Sequence, residues 1–184
     1  GGQITFGALG DSYYEYMMKL WLYTGDTNFR RMYDQSMAAM KKHLIKRTQS
    51  GLTYIAEYQN RAIGKMDHLV CFAGGMLALG AQGPTYAEDM RLADEVTETC
   101  YQMYARQPTG LAPELVKFTG ADMTNSPSAM HYLLRPETVE SLMIMWRTTH
   151  DQKWRDKGWE IMKAIDAHAK AAVGYSGLRD VSKV

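Results

Sequence analysis

The sequence predicts an all-α protein assembled from consecutive helical hairpins. Three observations carry that reading. Aromatic, Met and Leu residues recur three and four positions apart along most of the 184 residues, short Gly, Asp, Thr or Pro breaks separate these stretches, and strand signals are scarce. Three hairpins joined by irregular connectors that carry Asp, Glu, His and Arg describe an α/α toroid, in which stacked hairpins line a central cavity. A plain helical bundle has the same periodicity, so pattern alone leaves both arrangements open.

Taken in order, Asp11 suits the N-cap of a first helix over Ser12 to Tyr23, ended by Thr24-Gly25-Asp26. Thr27 suits the cap of a second, which carries Phe29, Met32, Tyr33, Met37, Met40 and Leu44. The β-prone run Leu52 to Tyr58 sits among turn residues and reads as a short extended element on the surface. Asp67 suits the cap of a third helix through Leu79, and Thr85 that of a fourth through about Arg106, stopped by Pro108 and Gly110. Gly110 to Leu134 holds Pro113, Gly120 and Pro127 among polar residues and is expected to be irregular, the place for a binding loop on a rigid scaffold. Pro136 suits the first turn of a fifth helix through Thr149, and a sixth runs from Gln152 to about Ala172.

Lys and Arg number 21 against 20 Asp and Glu, leaving a formal net charge of +1. Such a balance offers no uniform field to draw in a phosphate backbone, so nucleic acid is not expected as a partner. No apolar run approaches the roughly 20 residues that cross a bilayer, so any membrane attachment is expected through a segment outside these residues. The chain starts without Met, stops at Val184 and is expected to be an excerpt of a longer polypeptide. Two cysteines, Cys71 and Cys100, are too few to define a disulfide scaffold and fit two buried thiols or one bridge.

Four strings set charged groups against rigid apolar or glycine-bearing sequence: GALGDSYYEY from Gly7, KMDHLVCF from Lys65, GLAPELV from Gly110 and LLRPETVESL from Leu133. Asp11, Glu114 and Glu137 each stand at a helix start or in a constrained loop. Glycoside hydrolysis needs two carboxyl groups flanking the bond, separated by roughly 6.5–9.5 Å when a water must enter between them. Position alone also fits structural duty, because Asp11 is a good N-cap and Glu137 offsets a helix dipole. Arg135 fits a bidentate carboxylate partner or a surface cation. His68 fits a packed histidine or a pocket residue, and it lacks the partners of a zinc site. No GxSxG, P-loop or dinucleotide fingerprint is present.

In order, GDSYYEY, KMDHLVCF, GLAPE and LRPETVES resemble the class I α-1,2-mannosidases, glycoside hydrolase family 47, with matching stretches from Ile4 to about Ser176. The resemblance implies an (α/α)7 toroid, of which about three hairpins are present, and makes residues 1–184 a central-to-C-terminal part of one catalytic domain without internal boundary. It implies calcium-dependent hydrolysis of terminal α-1,2-linked mannose from high-mannose N-glycans, with inversion. Asp11, Glu114 and Glu137 match active-site acids, with Glu137 or Asp11 expected to activate water and Glu114 to assist acid chemistry or positioning. His68, Arg135 and Glu140 match residues lining the pocket. Glu137 and Glu140 would meet Ca2+ only through water, since the resemblance places a directly binding Thr, like a further catalytic acid, outside these residues. Alone, this chain is therefore expected to be inactive.

The same resemblance pairs Cys71 with Cys100 in a disulfide, consistent with the lumen of the Golgi or endoplasmic reticulum or with a secreted counterpart. Leu9 stands where the endoplasmic reticulum type has Arg, as in the Golgi-type subgroup whose pocket accepts several glycan branches. The expected partners are a high-mannose N-glycan and the rest of the catalytic domain. A non-catalytic mannose-binding factor of glycoprotein quality control is the alternative the same cavity allows. A helical scaffold for protein partners would need a broad apolar groove instead.

Overall fold

A computed structural model describes residues 2–184. Three helical hairpins follow one another: α1 (Asp11–Thr24) with α2 (Thr27–His43), α3 (Ala73–Gly80) with α4 (Tyr86–Ala105), and α5 (Glu137–Thr149) with α6 (Gln152–His168). Helix α3 touches α1 on one side and α5 on the other, so the first helices of the hairpins form an arc, each backed by its second helix. An arc of this kind is a sector of a toroid.

Helix starts differ from the expected caps. Gly10 is the N-cap of α1 and Asp11 is its first residue, with Asp11 Oδ1 accepting from Ser12 N at 2.9 Å. Asp26, one residue before Thr27, caps α2 by accepting from Asn28 N at 2.8 Å. Asp67 precedes a 3-10 turn, His68–Phe72, and not α3, and its carboxylate pairs with Lys65 at 3.0 Å without making a side-chain cap bond. Thr85 turns its hydroxyl to Asp89 Oδ2 at 2.7 Å instead of capping α4. Helix α6 stops at His168, short of Ala172, where Ser176 N donates to Ala169 O and the chain folds back.

Of seven short strands among the described residues, β2 and most of β3 fall in the run Leu52 to Tyr58 read as extended, and the other five were not evident from pattern. β1 (Ile45–Arg47) pairs with β2 (Thr53–Ile55), β3 (Glu57–Gln59) with β4 (Arg61–Ile63), and β5 (Lys65–Asp67), β6 (Leu115–Phe118) and β7 (Met123–Asn125) form an antiparallel sheet in that order. The run expected on the surface is inside, with Leu52 to Glu57 all buried. Helix α4 covers it, and Thr99 Oγ1 donates to Thr53 O at 2.7 Å. The stretch expected to be irregular, Gly110 to Leu134, supplies β6 and β7.

The core is rich in methionine, an adaptable side chain that fills irregular gaps: Met18, Met40, Met66, Met76, Met103 and Met145 are all almost fully buried. Where α3 crosses α5 the backbones come close, and a Cβ added at Gly75 would lie 2.7 Å from Ile144 Cδ1 and 3.3 Å from Ser141 Cα. Ser141 of α5 closes that contact, accepting from Gly75 N at 2.9 Å and donating to Cys71 O at 2.5 Å. Cys71 and Cys100 form a disulfide, Cα atoms 5.7 Å apart, joining the 3-10 turn to α4.

Candidate active site

The three-stranded sheet brings two of the four strings together. Met66 pairs with Val116 and Asp67 with Leu115, and His68 N donates to Glu114 O at 2.9 Å, so Asp67, His68 and Glu114 emerge at one sheet end. Arg135 comes to the same place from the connector before α5. Its Nε donates to Glu114 Oε2 at 2.5 Å and its Nη2 to Glu114 Oε1, a fork-to-fork pair. With both oxygens accepting, Glu114 is held in one orientation. Asp67 lies near enough for its charge to act on Arg135 as well.

Glu137 opens α5 two residues beyond Arg135, and its Oε2 is buried without a hydrogen-bond partner. Burial pushes its carboxyl above the usual glutamate range, the neighbouring charges of Glu140 and Glu114 push the same way, and its own backbone N–H and Arg135 oppose them. Glu140, one turn along, is also pushed up, chiefly by burial and then by Glu15, while Lys19 opposes. Lys19 Nζ reaches Glu140 Oε1 at 3.6 Å while bonded to Glu15, so α1 joins the cluster through its own i, i+4 pair.

Asp11 lies one turn before Glu15 on the same face of α1. Its recorded side-chain hydrogen bond is the local one to Ser12, and none joins it to Glu114 or Glu137. The turn that delivers it is tight: Gly7 O accepts from both Gly10 N and Asp11 N at 3.0 Å. Gly7 packs on Asp67, whose Oδ2 would lie 2.5 Å from a Cβ there. In that turn Leu9 adopts φ 73° and is fully exposed. A β-carbon disfavours the left-handed region, so an apolar side chain held there and open to solvent is a constrained feature. A recess of about 510 Å³ opens beside it, lined by Gln3, Thr5, Tyr13, Glu57, Lys65 and Asp67 among others.

Of the two readings of His68, the structure shows the packed histidine. It is 0% exposed, with no open face for a ligand, because Tyr104, Tyr132 and Thr138 enclose it. Burial, helped by the Arg135 charge, pushes its pKa down to about 3, so the ring is neutral at physiological pH. Asp67 and Lys19 were not anticipated in the cluster. Lys19 had a legible signal in the Glu15 spacing, whereas Asp67 was read only as a helix cap. Among the described residues no group of three or more His, Cys, Asp or Glu is arranged to hold a metal ion.

Paired and unpaired carboxylates gathered at the start of α5 and at the end of the three-stranded sheet mark one sector of an α/α toroid. The sequence matches Glycosyl hydrolase family 47 over residues 1–184, and the chain belongs to that family. It is 44% identical over 97% of its length to the mannosyl-oligosaccharide alpha-1,2-mannosidase IA of Drosophila melanogaster, of which it covers 28%. It is 41% identical over 98% of its length to the human endoplasmic reticulum mannosyl-oligosaccharide 1,2-alpha-mannosidase, covering 27% of that protein. The structure superposes on the alpha-1,2-mannosidase from Trichoderma reesei with a TM-score of 0.92 at 26% identity, over 99% of this chain and 42% of the other. The fold is therefore part of the (α/α)7 toroid, and the chain spans little more than a quarter of these two curated relatives.

Proposed function

We propose that the whole protein carrying these residues hydrolyses terminal α-1,2-linked mannose from high-mannose N-glycans with inversion of configuration. The observation that carries this reading is Glu137, a carboxylate with one oxygen buried and unpartnered beside the fixed Glu114–Arg135 pair. A carboxylate raised in basicity and free of a tight cation partner is suited to take a proton from water as that water attacks the anomeric carbon. Asp11 is the alternative base. Glu114 accepts from Arg135 with both oxygens, which suits it to positioning more than to proton donation. The acid that protonates the leaving oxygen comes from another part of the protein, so this chain alone is inactive.

Calcium fits the same place. Glu137 Oε2 is unsatisfied, and burial holds the carboxyls of both Glu137 and Glu140 above their ordinary range with Lys19 offsetting Glu140 only in part, which leaves oxygen donors of the kind a hard cation prefers. Glu137 and Glu140 would hold the ion through water, and when bound it supplies positive charge that orients sugar hydroxyls and water. Arg135 fixes Glu114, and Leu9 at the rim shapes which glycan branch enters, as in Golgi-type enzymes. The disulfide suits an oxidising compartment, the Golgi or endoplasmic reticulum lumen or the exterior. No helix among the described residues is long and apolar enough to cross a membrane.

The test is mannose release from a high-mannose glycan by the whole protein, with and without a calcium chelator. Glu137→Gln is expected to lower the rate by about 10²- to 10⁴-fold. Unchanged release by that variant overturns the assignment, and glycan binding without cleavage by the wild type points to a lectin-like role.

A further inference from the structure

Behind Glu137 lies a cluster of polar side chains with no part in the chemistry above. His68 and Thr138 are 0% exposed and Tyr104 and Tyr132 1%. They come from four places: the 3-10 turn, the first turn of α5, α4, and the connector before α5. The Tyr104 hydroxyl lies 2.9 Å from His68 Nε2, and Thr138 Oγ1 lies 3.2 Å from the same nitrogen. The Tyr104 ring meets those of His68 and Tyr132 edge-on, with centroids 5.2 and 6.1 Å apart. On a neutral imidazole Nε2 is either one donor or one acceptor, so a single ring atom orders both hydroxyls. Thr138 follows Glu137 directly in the chain. Since Glu137 Oε2 has no partner, the direction of that carboxylate depends on how the first turn of α5 is seated.

We infer that Tyr104 is a positioning residue for Glu137, acting through His68 Nε2 and Thr138 to seat the first turn of α5. It is enclosed and touches no substrate; its hydroxyl decides how the His68 ring presents itself to Thr138. The inference rests on the hydrolase reading above.

The whole protein is assayed as Tyr104→Phe, Thr138→Val, the double variant and Thr138→Ser. Tyr104→Phe is expected to lower kcat by about tenfold, the scale of a small misplacement of a reacting group, with KM changed less than about twofold. Thr138→Val should do the same, Thr138→Ser should restore activity, and the double variant should be no worse than the weaker single because one chain of contacts is cut in either case. Unchanged kcat in Tyr104→Phe, or losses that multiply in the double variant, overturn the inference while leaving the hydrolase reading intact. Absence of mannose release by the wild type overturns both.

Discussion

At the scale of single residues, the site is a competition between burial and charge pairing. Arg135 and Glu114 settle theirs by a two-point contact that Lys cannot reproduce, because an ammonium lacks the planar fork. Arg135→Lys in the whole protein should therefore cost about 1.5–3 kcal/mol of transition-state stabilisation, read as a tenfold to hundredfold fall in kcat/KM. Glu137 is left unsettled, and the sign of its pH effect follows. Its carboxyl binds a proton more tightly folded than unfolded, so the stability it contributes below its ordinary value of 4.5 is lost as pH rises through the raised native value. Glu137→Gln should raise the melting temperature at pH 7 with a chelator present, and the gain should close toward pH 4. Equal melting temperatures at pH 7 would contradict an uncompensated charge at that position.

At the scale of elements, two devices hold the cluster in register. The close crossing of α3 and α5 needs a residue without a β-carbon, and Gly75→Ala should destabilise by about 1–3 kcal/mol through overpacking against Ile144 and Ser141, measured as a shift in denaturation midpoint. The Cys71–Cys100 bridge closes a 29-residue separation, and replacing both cysteines by Ala should lower stability by about 3–4 kcal/mol on the chain-entropy account. The hairpins were legible because each helix repeats its apolar spacing over several turns. Among the strands, β2 was legible through its β-prone residues though not its burial, whereas three or four residues give too little alternation to separate β5 or β6 from a loop. Asp67 misled for a related reason, since the end of a short strand and the cap of a helix look alike in sequence. The positions of Glu114, Arg135 and Glu137 were legible through their strings. Packing was one reading of His68, but the residues that enclose it were not legible, because Tyr104 and Tyr132 arrive from distant segments. The cysteine pairing came from family resemblance and not from spacing.

At the scale of the whole molecule, the arc of α1, α3 and α5 ends in two open flanks. Tyr13, Tyr16, Leu22 and Tyr23 are exposed on α1, and Met143, Trp159 and Met162 on the last hairpin. Apolar surface of this extent is covered by neighbouring hairpins in a closed toroid. Expressed alone, residues 1–184 should self-associate, and a single monomeric species in sedimentation velocity would contradict that. On the proposed function, carboxylates gathered on this arc direct water, in the whole protein, to the face of the sugar opposite the departing group. The most direct measurement is proton NMR of the mannose first released from an α-1,2-linked substrate by the whole protein, taken before mutarotation. β-Mannose as the first product is the predicted result; α-mannose would contradict the account.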